Sequence, residues 1–160
     1  MNNVEILTEK LKQEINDLGG SLYPMVPLDE LKQLADHIKA KYDIDLPDGY
    51  QKILGIMDGF NFVGVFLYRG NVTATYNSRN LQNMLESNEE WQSSEDFENY
   101  LFYADSDMYL FVQSLEDKSF SYRPRDSFDH VIYSTTNDEE FFEIILKLAL
   151  GENIEEEYSN

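Results

Sequence analysis

Read from the N-terminus, the apolar residues keep a helical rhythm, change to alternation, and return to a helical rhythm at the end. Leu7, Leu11, Ile15 and Leu18 share one helix face, and Gly19 or Gly20 ends that helix by admitting left-handed backbone. Leu28, Leu31, Ala35, Ile38 and Tyr42 repeat the spacing behind Pro27, a proline where a helix start lacks a partner for its N–H anyway. The third stretch, "LPDGYQKILGIMDGF" (residues 46–60), starts on Pro47 and places Tyr50, Ile53, Leu54 and Met57 in a stripe. Asp45 and Asp48 suit the positive end of its dipole, and Gly59 suits its exit. Gly49 and Gly55 interrupt the run, which points to close packing against a neighbour.

The period then drops to two. "FVGVFLYRGNVTATY" predicts a hairpin turning at Gly70-Asn71, and "NLQNMLESNEEW" predicts a helix. "NYLFYADSDMYLFVQSLEDKSFSYRP" predicts three strands with turns at Asp105-Ser106-Asp107 and Glu116-Asp117-Lys118. In its middle strand Met108, Leu110 and Val112 face one way, and Tyr109, Phe111 and Gln113 the other. "HVIYS" is a last strand. "TNDEEFFEIILKLALG" is a closing helix, capped by Asn137 with Glu140, packing Phe141, Ile144, Ile145 and Leu148 on the sheet and ending at Gly151. This order predicts one α+β domain over residues 1–151. Its central sheet is mostly antiparallel, with helices packed chiefly on one side, and the acidic tail 152–160 frays.

Composition removes several chemistries. The 160 residues include no cysteine, which excludes disulfides, thiolate metal sites and cysteine nucleophiles. The first residues carry charges throughout, and no apolar run approaches membrane-spanning length. A soluble cytoplasmic protein is the expectation. Charge changes the picture most. Residues 1–80 hold 8 basic and 11 acidic side chains, a net of −3; residues 81–160 hold 4 and 20, a net of −16, giving −19 in all. Such a surface repels nucleic-acid phosphates and anionic lipid and attracts basic proteins.

Specific motifs fail on spacing. A phosphate loop needs G-x-x-x-x-G-K-[ST], but Gly49 and Gly55 are one position too far apart, and Ile56 and Met57 stand where Lys and Ser/Thr belong. Asp105, Asp107 and Glu116 match the first, third and last ligands of an EF-hand loop, but Tyr109 and Leu110 occupy its fifth and sixth positions inside a strand. His37 lies on a polar helix face, and His130 precedes a strand with no nucleophile elbow in the chain. No catalytic residue, cofactor or metal ligand is assigned.

The stretch at 46–60 resembles the "LP-x-x-[YF]-x-x-[FIL]-L-x-x-x-[ND]-G" signature of the SUKH superfamily, with Leu46, Pro47, Tyr50, Leu54, Asp58 and Gly59 at its positions. "VGVFLY" and "TNDEEFFEIILKLAL" extend the resemblance over roughly residues 28–150, closest to a YrhA-like bacterial branch. The chain departs from the family at Asp105-Ser106-Asp107, where many members place a glycine. The resemblance implies an α+β sandwich. It also implies a role without catalysis, in many bacterial members that of an immunity protein binding a toxin, often a nuclease.

Tyrosines and acids alternate through the second half, and tyrosine anchors with carboxylate steering suit capture of a basic protein. The candidate partner-binding residues are Tyr103, Asp105, Asp107, Tyr109, Glu116, Asp117, Tyr122, Asp126 and Asp129. "SNEEWQSSEDFENY", with Trp91 among acids, could form a second lip. The expected partner is a basic toxin domain, with neither nucleic acid nor membrane. A regulatory module of the same fold and a small hydrolase with two close, perturbed carboxyls are the alternatives.

Overall fold

The computed structural model of the chain describes residues 1–73 and 81–160. Its core is a six-stranded antiparallel meander in the order β1-β2-β3-β4-β5-β6. The strands are β1 (Phe60–Phe62), β2 (Val65–Leu67), β3 (Tyr100–Ser106), β4 (Tyr109–Ser114), β5 (Phe120–Pro124) and β6 (Tyr133–Thr135). The helices are α1 (Asn3–Asp17), α2 (Leu28–Tyr42), α3 (Asp48–Leu54), α4 (Met84–Trp91), α5 (Asp138–Ala149) and α6 (Ile154–Glu157). Helices thus precede, interrupt and close an antiparallel sheet, an α+β fold.

Helix α5 lies against β2, β5 and β6, with α1 and α3 packed on it. Asn137 caps α5 by accepting from the Glu140 amide, as the sequence predicts. Phe141 and Phe142 enter a ring cluster with Tyr50, Tyr103 and Phe120. Gly49 makes this contact possible: a Cβ there would stand 2.9 Å from the Phe142 ring. Helix α4 covers the opposite face at β3, where Trp91 stacks on Phe102 at 4.7 Å and Asn88 bonds both the N–H and the C=O of Phe102. The middle strands are therefore buried on both faces.

Four expectations change. The β3–β4 turn is Asp107-Met108, not Asp105-Ser106-Asp107, because Asp105 and Ser106 pair within β3. The first hairpin turns at Val63-Gly64, not Gly70-Asn71. Phe62 pairs with Val65, and both turn residues have positive φ, the two-residue geometry that matches strand twist. The amides of Gly70 and Asn71 instead bond Asp58, and residues 74–76 of the expected second arm lie outside the described residues. Helix α3 stops at Leu54 with Gly55 as its C-cap, so Gly55 is not interior. Gly59, at φ +70°, serves a separate turn, where an added Cβ would meet the Leu67 carbonyl oxygen at 2.5 Å. The tail, expected to fray, is placed as a helical turn folded back on the domain. Asn153 caps α6, which buries Ile154 and Tyr158, and the Asn160 amide bonds the Ile132 carbonyl.

Candidate functional site

The β3–β4 turn, the segment after β5 and the folded tail meet at one end of the sheet. They enclose a cleft of about 460 Å³ lined by Asp107, Met108, Tyr109, Pro124, Arg125, Asp126, His130, Ile132 and Glu155. Antiparallel pairing builds it. Tyr109 opposes Pro124, so Met108 and Arg125 extend the two strands side by side, joined by the Arg125 amide bonding the Met108 carbonyl. The tail is pinned from beneath by the Tyr122 hydroxyl, which donates to the Tyr158 carbonyl. That anchor presents Glu155, whose Oε2 accepts from the Tyr109 hydroxyl. Burial and this carboxylate push the Tyr109 phenol up to about 12.

Three of the nine candidate residues line the cleft: Asp107, Tyr109 and Asp126. Asp129 is exposed in the segment after β5 but is not part of the lining. Asp105 faces inward at the edge, accepting from the Tyr68 hydroxyl at 2.5 Å and from Arg125 Nη1 at 3.2 Å, while Trp91 Nε1 donates to the same Tyr68 oxygen. Two tyrosines are corrections. Tyr103 and Tyr122 are fully buried. Tyr103 packs edge-on to Phe142 at 5.3 Å and donates to Gln113 Oε1, and Tyr122 stacks on Phe111. Both sit where β3 and β5 face α5, α6 or their neighbours, so they anchor the core and no partner reaches them. Glu116 and Asp117 form the β4–β5 turn, one strand length from the cleft, about 17 Å at 3.4 Å per residue. Asp117 Oδ1 accepts from the Ser119 amide and hydroxyl, which hold its carboxyl below the usual range.

Trp91, offered as part of a second lip, sits half-buried on Phe102. The acids beside it separate: Glu89 and Glu90 border a shallow cleft with Gln82, Glu86 and Ser93.

Sequence reasoning missed Met108 as an exposed residue, and Arg125, Ile132 and Glu155 altogether. A signal existed for Glu155. Asn153 as a cap with Ile154 and Tyr158 four apart marks a helical turn with one apolar side. Nothing local marks Met108: its spacing to the buried Leu110 and Val112 predicts a strand position, but it lies in the turn before β4 and is 60% exposed.

The signature aspartate has a different setting. Asp58 is 1% exposed. Its Oδ2 takes Arg69 Nε at 2.9 Å, and its Oδ1 takes the Gly70 amide at 2.6 Å and the Asn71 amide at 3.3 Å. Arg69 lies over the Tyr23 ring at 4.3 Å. Burial pushes the Asp58 carboxyl up, against the pull of these donors. Glu143 is also held up, chiefly by burial, and neither carboxyl lines the cleft. Among the described residues no group of three or more His, Asp or Glu is placed to hold a metal ion, and no helix is long and apolar enough to cross a membrane. No protein-family model matches the chain, and no curated protein matches it significantly.

Proposed function

We propose that the chain is a non-catalytic binding protein that sequesters a basic protein domain, in the manner of the bacterial immunity proteins it resembles. One observation carries the reading. Among the described residues the Asp107 and Asp126 side chains, exposed at the cleft, have no internal hydrogen bond or ion pair, whereas Asp58, Asp105 and Asp117 all do. Carboxylates left unpaired beside an exposed methionine suit a partner that supplies cations and an apolar contact. The charge of the second half adds steering at a distance. Binding is stoichiometric, blocks the partner's own site and needs no cofactor, and the setting is the cytoplasm.

Co-purification with the product of the adjacent gene tests this reading. The expected result is a one-to-one complex that weakens as salt rises and abolishes the partner's toxicity. A neighbour that is harmless when expressed alone, or that does not bind, overturns it.

A further inference from the structure

The cleft has walls of two kinds. Met108, Tyr109, Pro124 and Ile132 supply apolar surface; Asp107, Asp126 and Glu155 supply carboxylates. Its one lysine or arginine, Arg125, is turned away from those carboxylates. Its Nη1 donates to Asp105 Oδ1 and to the Ser106 carbonyl at 2.9 Å, and its guanidinium lies 5.5 Å from the Trp91 ring. Glu155 is held in place by the Tyr109 hydroxyl through Oε2, and its Oε1 has no internal hydrogen bond among the described residues. The result is an apolar slot with an anionic rim, in which Arg125 is already engaged by Asp105 and His130 is the one other nitrogen-bearing side chain among the lining residues.

A side chain that matches such a slot has an apolar stem and a charged head. Arginine meets the requirement better than lysine. Its guanidinium is weakly hydrated, stacks on aromatic rings and bonds carboxylates through a planar fork, whereas an ammonium holds its water more tightly. We infer that the cleft takes an arginine side chain presented by the basic partner, its methylenes against Met108 and Ile132 and its guanidinium among Asp107, Asp126 and Glu155. This rests on the binding role proposed above and specifies where that role is exercised.

The test is an amide NMR titration of the full chain with a capped hexapeptide, Gly-Ser-Arg-Leu-Ser-Gly, beside versions carrying citrulline or lysine at the arginine position. Shifts confined to residues 107–109, 125, 126, 130–132 and 155 are expected with the arginine peptide. The citrulline peptide, a neutral shape match, should leave them unmoved, and D107N/D126N should weaken the arginine peptide by about tenfold or more. M108A should weaken it with the charges intact. Equal binding of the citrulline or lysine peptide overturns the assignment. So do shifts spread equally over Glu89, Glu90, Glu116 and Asp117, or no shift at millimolar peptide. A basic partner bound with unchanged affinity by D107N/D126N would overturn the cleft and leave the binding role standing. A cleft that takes the peptide with no basic partner found would do the reverse.

Discussion

Asp58 and Asp107 are both aspartates beside a tight turn, and the fold puts them to opposite uses. Asp58 is buried with its oxygens saturated by Arg69, Gly70 and Asn71, tying the exit of α3 to the segment after β2. Asp107 is exposed at the mouth of a cleft with no internal partner among the described residues. A carboxylate satisfied inside the chain holds the fold, and one left open is available to something outside it. In a chain of net charge −19, the count of acids says nothing about function until the two kinds are separated.

The comparison can be broken first at its buried side. Asp58→Ala removes the buried carboxylate that receives Arg69 Nε and the Gly70 and Asn71 amides. Loss of a buried pair member costs about 3–5 kcal/mol. Urea unfolding should show a midpoint far below wild type, and a loss under about 1 kcal/mol would remove Asp58 from the first class. Next in size is the tail. Ile154→Ala empties a site that is 2% exposed and should cost about 2–4 kcal/mol. Limited proteolysis should then cut after residue 151, where the wild type resists.

How much of this is legible in the sequence depends on whether a position is fixed by its neighbours in the chain or by distant contacts. The closing helix was legible because Asn137 caps it locally and Phe141, Ile144 and Ile145 keep its period. The stripe at Tyr50, Ile53, Leu54 and Met57 was legible for the same reason, and all four are buried. Rotation of a helix was less so. Leu28 continues the expected face of α2 but is 82% exposed, because it is the first helical residue and Leu34 and Ile38 carry the burial. The hairpin turn was not legible at all. Val63 adopts φ 46°, a region that β-branched residues avoid, while Gly70-Asn71 carries the residue types that turns prefer. In the site, exposure depended on pairing across strands. Tyr103, Tyr109 and Tyr122 look alike in sequence, but only Tyr109, at the edge of β4, reaches the cleft.

Val63 gives a smaller prediction. Its side chain is 67% exposed, so Val63→Asn relieves the left-handed strain with little packing lost and should stabilise by about 1 kcal/mol in urea unfolding. A destabilised variant would show that the strand pairing, not the turn, accounts for the geometry.

The tail contact has its own pH signature. The Tyr109 phenol is raised to about 12, so its contribution is fully present below the ordinary phenol value near 10 and is lost as pH rises through about 12. Absorbance of tyrosinate should show this group ionising late in wild type and earlier in Glu155→Gln. An unchanged titration in that variant would detach Glu155 from Tyr109.

The division between inward and outward carboxylates is tested most directly by urea unfolding of D107N/D126N. If both side chains serve a partner and not the fold, the variant keeps wild-type stability within about 0.5 kcal/mol, or gains slightly as like-charge repulsion falls. A loss of more than about 1 kcal/mol would mean that these carboxylates are built into the fold as Asp58 is, and would contradict the account.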